Sequence, residues 1–531
     1  MRELSDLHHL LHDDDGVVRV PFVVRGRLVA PPAVDKQAIV AAFAAAGEGA
    51  TALPVGEALV VREPIIDRAT MNATGEWQYQ VMARVEPLEL LSRDAHALKP
   101  LYDLPFSEVL AYLRGLGRAL VENAGVVQRV RELSRRTAPH PDLFHDAAFA
   151  AFPLVLSPEV AAATVDRELA YGGRPGRDFL DGWVELDETP FPGMTSFLAQ
   201  ALFGRELPAA IGPTAPSIRA LPTRQLHITA GNAPAVPVFS LLRALATKSP
   251  AVIKSPYGAI MPGALAALAA LSFAPDHPIT RHLSIVYWRG GDAAIEDVLL
   301  APMAFDRVVV WGAPDAVRSV QARAGLTRVL SFNPRYGLSL IGREAFAGDL
   351  RPVAIRASLD TMIWSQKACT ASFVHYVEGS AEDAARYGEV LAGVLAEWDR
   401  YAPAHVPPSA SAAVRRMKRG KYPGATWRHN ASGGGSTVMV LEGKFDMLDH
   451  PMSRLVVVRR VDDLADVLAT MHHGVAAIGV YPEGRRLELR DLLGMHGVSN
   501  VLPLGQVERS FGGMPHDGMR ALADLVDWKH G

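Results

Sequence analysis

Gln225-Leu226-His227-Ile228-Thr229-Ala230-Gly231-Asn232-Ala233-Pro234 and Ala251-Val252-Ile253-Lys254-Ser255-Pro256 decide how this chain folds. Each is a short apolar run that stops at a turn, and each is followed by a helical stretch, 236–247 after the first and 262–271 after the second. Residues 225–229 and 251–254 read as strands. Strands at 284–288, 307–311 and 338–341, with a helix at 315–323, continue the pattern. Strands alternating with helices of this length predict βαβ units and a parallel sheet. Ligands of such sheets bind at the carboxyl ends of the strands, so the residues that end these strands are the first candidates for chemistry.

On the C-terminal side the alternation resumes, with strands at 373–377, 455–459 and 476–480 and helices at 381–398 and 461–471. A Pro-rich break at 402–408 precedes the basic run Arg415-Arg416-Met417-Lys418-Arg419-Gly420-Lys421, and a Gly-rich turn leads to a helix at 519–528. On the N-terminal side, 158–205 reads as mainly helical around the turn Gly172-Gly173-Arg174-Pro175-Gly176. Residues 1–150 mix β-rich runs (17–24, 58–61) with helical stretches such as 106–121.

Composition narrows the function. Of 531 residues, 49% are hydrophobic and 21% charged, a globular balance with material for two or three domains. Lys+Arg at 54 against Asp+Glu at 57 leaves no basic surplus for nucleic acid. The stretch before Gly16 is acidic where a signal peptide needs a basic region. The longest apolar stretches, such as 259–274, fall short of the roughly 20 residues that span a bilayer. A cytoplasmic chain without a membrane span is expected. One cysteine excludes an intramolecular disulfide and a multi-cysteine metal site. The 18 histidines show no paired ligand spacing on one helix face, His8-His9 and His472-His473 being adjacent, and no metal is expected.

Four features carry candidate chemistry. Cys369, in Ser365-Gln366-Lys367-Ala368-Cys369-Thr370-Ala371-Ser372, is either a small buried hydrophobe or a nucleophile. Lys367 lowers its pKa if the side chain turns that way. Asn232, at the end of its strand, either satisfies its own turn or donates an amide N–H to an oxyanion. Lys254 ends an apolar strand, where it is surface charge or reaches a ribose hydroxyl or phosphate. Val308-Val309-Val310-Trp311-Gly312-Ala313 ends at a glycine that lets a cofactor approach the backbone.

In order and spacing these segments resemble the aldehyde dehydrogenase superfamily, and in particular its acyl-reductase branch, typified by the long-chain fatty acyl reductase of bacterial bioluminescence. The resemblance runs from about residue 180 onward, is strongest from Leu226 to Pro256, and includes Gly512-Gly513-Met514-Pro515-His516-Asp517-Gly518. It implies an α/β, aldehyde-dehydrogenase-like fold. The domains it suggests are a mixed α+β N-terminal region (1–150), a parallel-sheet cofactor-binding domain (151–345) and an α/β catalytic domain with the cysteine (346–500). Segment 501–531 would pack back or join oligomer contacts. It implies Cys369 as nucleophile and Asn232 as oxyanion donor. Ile228, Thr229, Ala230, Lys254, Ser255, Pro256, Gly291, Trp311, Gly312 and Ala313 would lie against a nicotinamide cofactor. NADPH is expected, with NADH as the alternative, because no acid follows Lys254 to repel a 2′-phosphate. An acyl thioester on coenzyme A or a carrier protein is the implied substrate, and a homo-oligomer the implied assembly.

The departures from that family refine the reading. Ser331-Phe332-Asn333-Pro334-Arg335-Tyr336-Gly337-Leu338 occupies the place of the glutamate base of hydrolytic members and contains no acid. A thioester without a water-activating base survives longer, which suits exchange with a thiol carrier over hydrolysis. The superfamily's second cofactor-binding glutamate has only Asp449 as a candidate, and no Gly-x-Gly-x-x-Gly fingerprint is present. The group that activates Cys369 is not identified. Two rival readings stand beside the reductase: a hydrolytic NAD(P)-dependent aldehyde dehydrogenase, and a non-catalytic acyl-transfer or scaffold partner. The basic run at 415–421 is either a solvated loop or a landing site for coenzyme A phosphates or an acidic carrier protein.

Overall fold

Five parallel strands, in the spatial order Arg328–Phe332, Arg307–Trp311, Gln225–Ile228, Ala251–Lys254 and Leu283–Val286, make the first large sheet, and an antiparallel hairpin of Phe22–Val24 and Arg27–Val29 extends one edge. The computed structural model describes residues 13–186, 194–204, 216–429, 435–509 and 512–531. Most of the acidic N-terminal stretch, with His8 and His9, lies outside the described residues. Ala251–Lys254 is buried at every position, which is what a near-continuous apolar run in a parallel sheet requires. Helix Ile260–Phe273 is apolar around its whole circumference because both sides are covered. The strand Leu283–Val286 lies on one side, and helices Phe106–Glu122 and Ala124–Arg135 on the other.

The second large sheet has seven strands, in the order Thr426–His429, Thr437–Leu441, Leu455–Val461, Ser372–Glu378, Tyr336–Ile341, Val475–Tyr481 and Asn500–Pro503. Only the edge pair of Thr426–His429 with Thr437–Leu441 is antiparallel. Alternate residues of Leu455–Val461 serve opposite cores. Val456 and Val458 pack with Val353, Ala357, Tyr387 and Leu391 of helices Arg351–Met362 and Ala381–Tyr401. Leu455 and Val457 pack on the other face with Leu489 and Leu493 of helix Glu483–Met495.

The structure corrects several sequence expectations. The change from the first sheet to the second falls between Phe332 and Tyr336, so Tyr336–Ile341 belongs with the cysteine-bearing sheet and the boundary near 345 comes too late. The β-rich run at 17–24 is divided. Val17–Arg19 joins a five-stranded sheet with Ala52–Val55, Ala58–Ile66 and Ala73–Ala83, while Phe22–Val24 crosses to the first large sheet. Residues 461–471 are a strand end and a 3-10 stretch, Leu464–Thr470, opened by an Asp463–Asp466 capping box. Residues 519–528 form only the short helix Ala521–Leu525, after which Asp527–His530 is a strand. That strand pairs antiparallel with Ser217–Leu221, beside Val184–Glu185, and ties segment 501–531 back to the fold. No single helix among the described residues is long and apolar enough to cross a membrane.

The strand Tyr336–Ile341 meets the cysteine loop closely: a Cβ on Gly337 would lie 2.0 Å from the Thr370 carbonyl oxygen. Gly337→Ala is expected to force strand and loop apart at a cost of about 1–3 kcal/mol, read as a lower thermal unfolding midpoint. An unchanged midpoint would show that the two segments do not touch in this way.

Candidate active site

Register brings the ends of the first sheet's strands together. Ile228 is paired with Lys254 on one side and Val310 on the other, and Lys254 with Val286. Past Ile228, the Thr229 amide and hydroxyl both donate to the Lys254 carbonyl, at 3.2 and 2.6 Å. The turn then presses on its neighbour, since a Cβ on Gly231 would lie 2.2 Å from the Tyr257 carbonyl. Asn232 follows at the mouth of this end of the sheet.

Two lysines here differ in a way that decides their roles. Lys248 is buried, and its ammonium donates to the Leu104 and Leu180 carbonyls and to Asp181. Lys254 is 7% exposed and has no hydrogen-bond or ion-pair partner among the described residues; only the Tyr287 and Trp288 rings, at 5.2 and 5.4 Å, lie beside it. Burial brings its pKa down to about 8, against a small opposing effect of Glu296. A buried ammonium with unspent donors is a cation waiting for an anionic or hydroxylated ligand. Ser255 and Pro256 are buried next to it, whereas Gly291 is exposed, with its N–H on Glu296 at 3.0 Å. The Trp311 ring is already engaged, stacked on Phe332 at 3.9 Å with the Arg243 guanidinium over it at 5.0 Å. Gly312 and Ala313 instead lead to helix Pro314–Ala324, whose first turn has no side-chain cap and so presents free N–H groups.

The cysteine arrives from the second sheet on a strained turn. Trp364, Ser365 and Gln366 have φ of 50°, 55° and 66° in succession, a left-handed path that residues with a Cβ rarely follow. Interior bonds hold it there: the Gln366 amide donates to the Leu455 carbonyl at 2.7 Å and to that of Ser372 at 3.3 Å. The Trp364 ring packs edge-on against His140 and lies beside Phe144. Cys369 emerges half-buried just before strand Ser372–Glu378. Asn232 Nδ2 donates to the Lys367 carbonyl at 3.1 Å, and the His140 ring lies against the Asn232 backbone, whose carbonyl favours a proton on the ring. The turn of the first sheet is thus tied to the cysteine loop of the second.

Charge around the thiol is mostly negative. Burial, with help from Asp517 and Glu508, pushes the Cys369 pKa up to about 12; its own backbone N–H and Arg335 pull the other way. Lys367 is not among these charges and instead lies near His140, which burial keeps neutral down to about pH 3. Glu508 is held above the usual carboxylate range by its surroundings, against the hydroxyl of Thr370, which donates to it. The residue is nonetheless exposed to water. Asp517 is raised by burial against Arg335, 3.6 Å away. Next to it, His516 accepts from Arg243 at 2.7 Å, which docks this segment on helix Val236–Ala246.

The structure therefore brings Asn232, Cys369 and the Lys254 strand end to one place. It adds four residues that the sequence reading did not name as site residues: His140, Arg335, Glu508 and Asp517. Arg335 stands in the very window searched for acids, and Asp517 within the tail motif. Nothing local marks His140 or Glu508. Asp449 is taken up by Lys421 and Tyr422, which also occupies one end of the basic run.

The family described as acyl-CoA reductase (LuxC) matches residues 217–528. The chain is 28% identical over 323 residues to a long-chain acyl-protein thioester reductase of Photorhabdus luminescens, covering 59% of this chain and 64% of that protein. It is 26% identical over 324 residues to long-chain acyl-protein thioester reductase 2 of Photobacterium leiognathi, with the same two shares. It thus spans 64% of the length of these relatives. Among solved structures, the NADP-dependent glyceraldehyde-3-phosphate dehydrogenase of Bacillus halodurans, complexed with NADP, superposes with a TM-score of 0.63. It is 14% identical, and the match covers 96% of this chain and 98% of that one, so the aldehyde dehydrogenase fold extends through the N-terminal region as well.

Because the thiol pKa is raised, the thiolate fraction at a given pH is smaller than for a free cysteine. Alkylation of Cys369 by iodoacetamide, followed by mass, is expected to be slow at neutral pH. It should still be rising near about pH 10, where a thiol of ordinary pKa, about 8.5, has levelled off. A plateau below neutrality would mean that the site stabilises a resting thiolate and that this charge balance is wrong.

Proposed function

This chain belongs to the acyl-CoA reductase (LuxC) family, and we propose that it reduces an acyl thioester to an aldehyde through an acyl group carried on Cys369. One observation carries the reading: the half-buried thiol of the single cysteine lies on the loop to which the Asn232 amide is bonded, at the sheet end that buries the partnerless Lys254. The relatives' names, long-chain acyl-protein thioester reductase, favour a protein-borne thioester over coenzyme A as the acyl donor.

A bound nicotinamide supplies the hydride. Lys254, Ser255 and Thr229, with the backbone of Gly312 and Ala313 at the uncapped helix, are the residues that would hold it; the open donors of Lys254 fit its hydroxyls and phosphates. NADPH is favoured over NADH by the absence of an acid in Lys254-Ser255-Pro256 and by the NADP-bound structural neighbour.

Cys369 attacks the acyl carbon, and the carrier sulfur leaves. Asn232 has two amide hydrogens; one is spent on the Lys367 carbonyl, and the other is available to the oxyanion together with the Cys369 backbone N–H, which already lies at the sulfur. After reduction, the same donors hold the second oxyanion until the carbon–sulfur bond breaks and the aldehyde departs. Residues 331–338, without an acid, place no water-activating carboxylate beside the acyl-cysteine and so favour its survival until reduction. Assembly as a homo-oligomer is supported by Phe197, Leu198, Leu202 and Phe203, apolar side chains exposed together on helix Met194–Phe203.

The test is cofactor oxidation with acyl-CoA and acyl-carrier thioesters, with aldehyde identified as product. Cys369→Ser should be inactive. Asn232→Ala should lose about 100–1,000-fold in kcat, equivalent to about 2.7–4 kcal/mol, with KM little changed. Full activity in Cys369→Ser, or no cofactor oxidation by the unaltered chain with any thioester, would overturn the reading.

A further inference from the structure

Acyl transfer onto Cys369 moves a proton: the thiol must lose one, and the departing carrier sulfur must gain one. Residues 331–338 offer no acid for this, and Lys367 lies toward His140. The structure brings a carboxylate from elsewhere in the chain. Glu508 accepts a hydrogen bond from the hydroxyl of Thr370, the residue after Cys369, and its charge is felt at the thiol. Among the described residues it has no ion-pair partner. Its place is set by the second sheet's own helix: Asp360 of Arg351–Met362 accepts the N–H groups of Gly505 and Val507, at 2.7 and 3.1 Å. On its far side Glu508 lines a cavity of about 430 Å³ whose other walls include Phe144, Leu359, Ile363 and Trp398. That volume is in the range of small-molecule sites.

The geometry points to Glu508 as the proton carrier of the acyl-transfer step, working through the Thr370 hydroxyl. This rests on the acyl-cysteine reading and assigns the activating group that reading lacks. As Sγ of Cys369 bonds to the acyl carbon, its proton passes to the Thr370 oxygen, and the Thr370 proton passes to the Glu508 carboxylate. The bond from acyl carbon to carrier sulfur breaks, and the departing thiolate takes the proton from Glu508. The products are the acyl-cysteine, a neutral carrier thiol and a restored carboxylate. No oxidant or reductant enters this step. A carboxyl held above its ordinary range is better matched to passing protons near neutrality than a solvated one.

The test is acyl-enzyme formation by the full chain without nicotinamide, followed by intact mass and by thiol release. Two thioesters of one acyl group are compared, a coenzyme A thioester and a thiophenyl thioester, whose leaving thiolate departs without needing a proton. Glu508→Gln is expected to slow acylation by the coenzyme A thioester about 100-fold or more, to slow the thiophenyl thioester less, because there only the acceptor of the Cys369 proton is lost and not the donor to the leaving sulfur, and to be partly rescued in Glu508→Asp. Equal slowing with both thioesters, or none with either, overturns the proposal. So does a Glu508→Gln acyl-enzyme that forms normally but resists water longer, since Glu508 would then be activating water. If the unaltered chain acylates with neither thioester, the acyl-cysteine reading itself fails, and this proposal with it.

Discussion

The hydrogen bond from the Asn232 amide to the Lys367 carbonyl joins two sheets that otherwise have separate cores. Asn232 comes from the turn after a fully parallel strand, and Lys367 from a left-handed turn before another. Neither has a role until the other is in place. A bond of this kind is worth only about 0.5–1.5 kcal/mol net, far too little to hold two domains together. What it provides is alignment, and the rest of the architecture exists to make that alignment cheap. The close approach of Gly337 to the Thr370 carbonyl sets the loop from below, and the Gln366 amide bonds hold it from within. His140 sets the Asn232 backbone from the N-terminal side.

The electrostatics of the site follow from where its charges come from. A cysteine at rest as thiolate needs cations or free N–H groups around it. Here Cys369 meets two carboxyl groups and one guanidinium, with burial adding to the same side. The neighbouring carboxyl groups are themselves raised by burial, against the Thr370 hydroxyl at Glu508 and against Arg335 at Asp517. Such surroundings disfavour a stored thiolate and leave the thiol protonated at rest. Lys254, on the opposite wall, has the reverse character: a cation with its counter-charge missing.

Legibility in the sequence divides along the same line. The parallel strands are readable because each is a short apolar run closed by a turn, and that pattern puts Asn232, Lys254 and Gly312 at strand ends and Cys369 just before a strand. Strand pairing over long separations was not readable. Residues 519–528 carry an apolar spacing that fits a helix, and only pairing with Ser217–Leu221, distant in the sequence, makes Asp527–His530 a strand. Glu508 and His140 lie in segments with no motif, and they become site residues through contacts made by neighbours, Thr370 and Asn232. The window 331–338 was read correctly for its lack of acid but not for Arg335, because a cation there has meaning only once Asp517 lies next to it.

The docking of segment 505–530 has a consequence in time. These residues leave the ribosome after both sheets they complete, and their contacts close loops of very long span, such as the bond from Thr223 to the Leu525 carbonyl. A nascent chain therefore displays its Cys369 turn without Glu508 and Asp517, with a thiol nearer to ordinary acidity and open to passing electrophiles and oxidants. Docking of the segment quiets that thiol. Docking of this segment and shielding of the thiol are, in this fold, the same event.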